Sequence, residues 1–318
     1  MSRRTIEPNE HGMLDVGDAH TVYWETWGNP SGAPVVYVHG GPGGGCHPGA
    51  REMFDPERYH VVFFDQRGCG RSRPLAREAD ADLSANTTHH LIRDMELIRE
   101  HVGIDHWAVA GFSWGTTLGL AYAEAHPERA TGVLLCLVGL TTKREVAWIT
   151  EGVGRVFAPE WDRFASFVPP HLADLALVEA YNRLLFDPDP EVTAAAAHEW
   201  CVWEDAHMGF APDAGPRLQL EEPGFKLEFA RLVTHYWSNG AFLGESELMD
   251  GLPKLEGKPA VLIHGRYDVS SPIETPWRMA EAWGSAELVV VDDAGHGGGS
   301  MMGAITAGLV RVTTPAVR

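Results

Sequence analysis

The chain has 318 residues, 44% of them hydrophobic, with 35 glycines and 21 prolines. That is the composition of a loop-rich globular protein long enough for a full core, not of a disordered chain. Its 44 acidic and 25 basic residues give a formal charge of −19, which argues against nucleic-acid binding and is compatible with cationic substrates or with solubility alone.

No stretch approaches the roughly 20 apolar residues of a membrane span. The N-terminus, Met1-Ser2-Arg3-Arg4-Thr5-Ile6-Glu7, lacks the apolar segment of a secretory signal. Cys46, Cys69, Cys136 and Cys201 form no CxxC pair, and the 16 histidines show no HExxH spacing. The expectation is a cytoplasmic protein without a structural metal or a disulfide framework.

In chain order, Thr21–Trp27 alternates and predicts an antiparallel edge strand. Val35–Val38 predicts a strand that ends at the glycine-rich His39–Gly45, and Val61–Phe64 one that ends at Asp65. Ala108–Ala110 leads into Gly111-Phe-Ser-Trp-Gly115, with a helical stretch following and then the strand Val133–Val138. From about 140 to 246 the strand runs vanish and amphipathic stretches rich in Ala, Glu, Trp and Phe take over. Ala260–Ile263 and Leu288–Val291 complete the strands. Continuous apolar runs of this kind suit strands buried on both faces, hence a parallel sheet. The expected organisation is an α/β core in two parts, 1–139 and 247–318, with a helical cap over 140–246.

In open α/β sheets, ligand chemistry gathers at the carboxyl ends of the strands. Ser113, between two glycines where a strand gives way to a helix, has the pattern of a nucleophile elbow. A serine needs a base, and the base needs an orienting carboxylate. Asp268 follows the strand ending at Ile263, and His296 follows the last strand, in the Ser-Asp-His order this fold uses. The His39–Gly45 loop supplies backbone N–H groups, Gly41 among them, for an oxyanion hole, with the Trp114 N–H as second donor. A phosphate loop is excluded there because no Gly-Lys-Ser/Thr follows. Asp65-Gln66-Arg67 reads as a strand-end turn tied by hydrogen bonds.

His39-Gly-Gly-Pro-Gly43, Asp65-Gln-Arg-Gly-Cys-Gly-Arg-Ser72, Gly111-Phe-Ser-Trp-Gly115, Trp200-Cys-Val-Trp-Glu204, Gly265-Arg-Tyr-Asp268 and Ala294-Gly-His296 together resemble the prolyl aminopeptidase (proline iminopeptidase) family of α/β hydrolases. The likeness runs from about Gly28 to Gly303. It implies an α/β-hydrolase fold, a mostly parallel sheet with helices on both faces and an inserted helical cap. It also implies release of N-terminal proline from small peptides or amides, with no metal or cofactor. The substrate's free amine would meet Glu204, with Trp203 and Tyr236 at the substrate, although Trp200 and Trp203 also suit a cap core. Val233 stands where the resemblance implies a second amine-binding glutamate, two residues before His235-Tyr236. Glu228, five residues away, belongs to another helix face. Two further segments depart from the family pattern, Val138–Thr142 by the proline pocket and Gly297–Ser300 after the histidine. The alternative is therefore an amidase or esterase acting on a different small substrate. A non-catalytic receptor has no need of the triad, and an epoxide hydrolase needs Asp where this chain has Ser113.

Overall fold

A computed structural model describes residues 7–210 and 224–314. Its strands are β1 (Glu10–Gly17), β2 (His20–Gly28), β3 (Ala33–Val38), β4 (Tyr59–Phe64), β5 (Trp107–Phe112), β6 (Ala130–Cys136), β7 (Ala260–Gly265) and β8 (Ala286–Val291). They form one sheet in the order β1-β2-β4-β3-β5-β6-β7-β8. β3 to β8 pair in parallel, while β1 and β2 are antiparallel to their neighbours.

The apolar runs explain the parallel part directly. Successive side chains of a strand point to opposite faces, and here both faces are covered. Val36, Val38, Val62, Phe64, Val109 and Leu135 enter one buried cluster, and their sequence neighbours Val35, Tyr37, Val61, Phe63, Ala108 and Leu134 enter another. The first cluster is closed by α1 (Thr88–His101), α2 (Trp114–Ala125) and α9 (Glu274–Trp283), the second by α10 (Met301–Thr313).

Two strand expectations need correction. Thr21–Trp27 lies in β2, which is antiparallel but not at the edge, because β1 pairs along its outer side from Glu10↔Thr26 to Gly17↔His20. β1 escapes a hydrophobic reading because it is mostly solvated, with Met13 47% exposed. Leu288–Val291 lies in β8, whose residues are largely half-buried because only β7 flanks it.

Between β6 and β7 the described residues contain helices and no strand: α3 (Lys143–Thr150), α4 (Ala158–Ser166), α5 (Leu177–Leu185), α6 (Pro190–Met208), α7 (Phe225–Ser238) and α8 (Glu247–Gly251). Helices α3 to α7 share a cluster of their own, built on Phe164, Tyr181, Trp200 and Trp203. No described helix is long and apolar enough to cross a membrane.

The end of β4 is anchored by a buried fork. Arg67 donates from Nε to Asp94 Oδ2 at 2.6 Å and from Nη2 to Oδ1 at 2.8 Å, joining the Asp65-Gln66-Arg67 turn to α1. The two side chains are 0% and 1% exposed. Removing Asp94 leaves the buried guanidinium only the longer contact to Asp18 at 3.2 Å and the Ala85 and Val16 carbonyls, so Asp94→Ala is expected to cost about 3 kcal/mol of stability, the lower end of the range for breaking a buried pair. The midpoint of urea unfolding measures this. A loss of under about 1 kcal/mol, the range of an exposed pair, would contradict the assignment.

Candidate active site

Because β3 to β8 run parallel, the loops that follow β3, β5, β7 and β8 gather along one edge of the sheet. β5 ends at Phe112 and α2 begins at Trp114, so Ser113 alone turns the chain. Its φ of 54° and ψ of −125° lie where a side chain is strained, at a cost of about 1–3 kcal/mol. The flanking glycines are what allow so tight a turn. A Cβ on Gly111 would strike the Gly115 carbonyl oxygen, and a Cβ on Gly115 would strike that of Val38.

The structure brings Ser113, His296 and Asp268 together. His296 Nε2 is 3.0 Å from Ser113 Oγ, and His296 Nδ1 is 2.8 Å from Asp268 Oδ2. The other carboxylate oxygen, Oδ1, accepts the backbone N–H groups of Ser270 at 3.1 Å and Ser271 at 3.0 Å. Burial by itself raises the carboxyl's pKa, but the neighbouring His296 and its hydrogen bond hold Asp268 below the usual carboxylate range. An ionised Asp268 fixes the proton on Nδ1, which leaves Nε2 to accept from the serine hydroxyl.

The loop after β3 lies against this group. Gly41, with φ of 118°, lines the space around Ser113, and a Cβ there would come within 2.5 Å of the Gly43 nitrogen. Trp114 opens α2, so its N–H belongs to the helix's first turn, where donors have no intrahelical acceptor. Gln66 ties these two sources of N–H groups together. Its amide donates to the His39 carbonyl at 2.9 Å, its oxygen accepts from Trp114 Nε1 at 2.9 Å, and its backbone N–H donates to His39 Nε2 at 3.0 Å. The turn expected at Asp65-Gln66-Arg67 therefore bonds to the loop and helix beside Ser113 as well as locally.

A cavity of about 320 Å³ opens over Ser113 and His296, within the range of small-ligand pockets. Tyr37, Phe229 and Trp237 supply apolar walls, and Glu204, His207 and Ser270 supply polar groups. Glu204 is 4% exposed and accepts from Trp200 Nε1 at 3.2 Å. A smaller hollow of about 60 Å³ adjoins it at Thr117, Thr141 and Glu145.

Three other residues expected at the substrate are not on the cavity wall. Trp203 stacks on Phe164 and donates from Nε1 to the Ile149 carbonyl, which places it in the core shared by the helices between β6 and β7. Val233 is fully buried in the same cluster. Tyr236 packs its ring 4.7 Å from that of Trp114 and so supports the elbow from behind. Glu228 also turns away from the cavity. It accepts the Gly70 N–H at 3.0 Å and pairs with Arg77 at 3.3 Å, and burial pushes its carboxyl up to about 7.

The alpha/beta hydrolase fold family matches residues 33–298. A proline iminopeptidase of Arabidopsis thaliana is 43% identical over 92% of this chain and 76% of its own. A proline iminopeptidase of Xylella fastidiosa is 42% identical over 92% of each chain. The chain belongs to the proline iminopeptidase family of alpha/beta hydrolases. Among solved structures, a proline iminopeptidase-related protein from Thermus thermophilus superposes with a TM-score of 0.62 over 96% of this chain and 98% of its own. At 23% identity that likeness bears on the fold alone.

Sequence reasoning overlooked several groups around the site of this proline iminopeptidase relative. His264 accepts the Val138 N–H at Nδ1 and donates from Nε2 to the Ser271 carbonyl, so it holds the loop that carries Asp268. Burial lowers its pKa and keeps it neutral in that role. His207 and Ser270 reach the cavity, and the one available signal was spacing: three residues after Glu204 and two after Asp268.

Gly115→Ala tests the elbow. The added methyl must displace either β3 or α2, and a shift of about 1 Å at the nucleophile can cost roughly 100-fold in kcat/KM. Gly303→Ala on α10, where a Cβ meets nothing within 4 Å, is the control and should keep full activity. Equal activity in the two variants would contradict the packing argument.

Proposed function

We propose that this protein is a serine aminopeptidase that releases an N-terminal proline, or a similar small residue, from short peptides and amides. Ser113 attacks the carbonyl carbon while His296 Nε2 takes its proton, and Asp268 stabilises the imidazolium that forms. The N–H groups of Gly41 and Trp114 donate to the oxyanion. His296 then protonates the leaving amine, and water hydrolyses the acyl-enzyme by the same route. Residues 140–246 act as a cap, a reading supported by the contribution of α3, α6 and α7 to the cavity wall through Ile149, Glu204 and Phe229. Closing the site in this way excludes water and favours short substrates with a free end.

The observation that carries the aminopeptidase reading is Glu204, a buried carboxylate in the same cavity as Ser113 and His296. A buried carboxylate there is the natural partner for a substrate ammonium. The names of the relatives agree with it. A second reading, an amidase or esterase for a different small substrate, is favoured by Val233. It packs in the core of the helices between β6 and β7, at the position where the resemblance implies a second glutamate.

Prolyl p-nitroanilide and its N-acetyl analogue separate the two readings. A charge-assisted hydrogen bond is worth about 1.5–3 kcal/mol, or roughly 10- to 100-fold. Glu204→Gln should lower kcat/KM by that factor on the free amine and leave the blocked analogue nearly unchanged. Equal losses on both, or a wild-type enzyme indifferent to the amine, would favour the second reading.

A further inference from the structure

The loop Asp268-Val269-Ser270-Ser271 is gripped from two sides. From the core, His264 donates to the Ser271 carbonyl at 2.6 Å, and Ser271 Oγ donates to the Val138 carbonyl at 2.9 Å. From the helices between β6 and β7, Trp148 of α3 donates to the Val269 carbonyl at 2.8 Å. His207 of α6 completes the grip, with Nδ1 2.8 Å from Ser270 Oγ. His207 and Ser270 are 2% and 5% exposed, so the bond is largely sheltered from bulk solvent. Ser270 is also one of the two residues whose backbone N–H holds Asp268 Oδ1. His207 lies three positions after Glu204, on the same face of α6, and both line the cavity.

These contacts form one continuous line from the amine-facing helix to the base: α6, His207, Ser270, Asp268, His296. We infer that His207 is a positioning residue whose hydrogen bond to Ser270 holds the Ser270 end of the Asp268 loop in register and so contributes to the alignment of the triad. The inference rests on the proposed catalytic role of Ser113, His296 and Asp268, and not on the identity of the substrate. In physical terms, releasing Ser270 frees its N–H to leave Oδ1. The carboxylate then turns on its remaining contacts, and His296 loses the fixed orientation in which Nε2 meets the serine.

The test uses His207→Ala, Ser270→Ala, the double variant and His207→Asn, each on prolyl p-nitroanilide and on p-nitrophenyl acetate, which has no amine. Misplacing a catalytic group by about 1 Å can cost 100-fold. Each alanine variant should therefore lower kcat roughly 10- to 100-fold on both substrates, with KM changed by less than about threefold. The double variant should be no worse than the worse single one, because residues in one hydrogen bond are not additive. His207→Asn keeps a polar atom close to the Nδ1 position and should recover part of the loss.

A loss confined to KM on the prolyl substrate would make His207 a substrate contact and overturn the inference. So would additive losses, or a lowered melting temperature with kcat unchanged. Ser270→Ala removes a single oxygen and keeps the backbone N–H, so it remains informative if His207→Ala fails to fold. A wild-type enzyme that hydrolyses the ester and ignores the prolyl amide would sink the aminopeptidase reading, yet the ester still tests His207.

Discussion

The contact between Gly115 and the end of β3 governs the geometry of the whole site. With hydrogen in place of a side chain, the first turn of α2 presses against the carbonyls of Val38 and His39. From the other side, a Cβ on Gly40 would come within 2.9 Å of the Phe112 carbonyl oxygen and 3.0 Å of the Ser113 Cβ. Two strand ends and one helix start therefore meet with no atom to spare. Ser113 is forced to φ of 54°, and its hydroxyl rises from the sheet edge beside the glycine loop. Strain of this size persists only when the surroundings over-determine it, and here the backbone carbonyls on both sides do so.

Around that contact the polar groups serve to hold backbone in place. Gln66 spans the His39 carbonyl and Trp114, and His39 uses its ring to bond Gly40 and Gln66. His264 does the equivalent for the Asp268 loop. Burial lowers the pKa of both histidines, which keeps each neutral, able to donate from one nitrogen and accept at the other. Buried polar groups are costly unless paired, and here the pairing fixes the loops that carry the reacting groups. The tilt of Trp114 against Tyr236 adds apolar support behind the elbow.

Much of this was legible in the sequence because the informative residues follow strands. The runs at Val35, Val61, Ala108, Val133, Ala260 and Leu288 marked parallel strands, and Ser113, Asp268 and His296 each sat just past one. β1 was not legible, since its solvated residues carry no hydrophobic period. Nor was the direction of side chains on the helices between β6 and β7. Trp203 adjoins Glu204, Val233 stands at the second glutamate position that the resemblance implies and Tyr236 follows it by three residues, yet all three pack away from the cavity while Glu204 lines it. Proximity along a helix does not say which face is inward when hydrophobic residues surround it. The His207–Ser270 contact, 63 residues apart in the chain, has no local pattern that could have announced it.

In the proposed mechanism this strained serine, and no other hydroxyl, is the nucleophile. Labelling with a fluorophosphonate, whose phosphorus is attacked by an activated serine with loss of fluoride, followed by intact mass and peptide mapping, distinguishes Ser113 from every other hydroxyl. One adduct per chain is expected, on Ser113, formed in step with loss of hydrolysis and absent from Asp268→Ala or His296→Ala protein that remains folded. An adduct on another residue, or full inactivation with Ser113 unmodified, would contradict it.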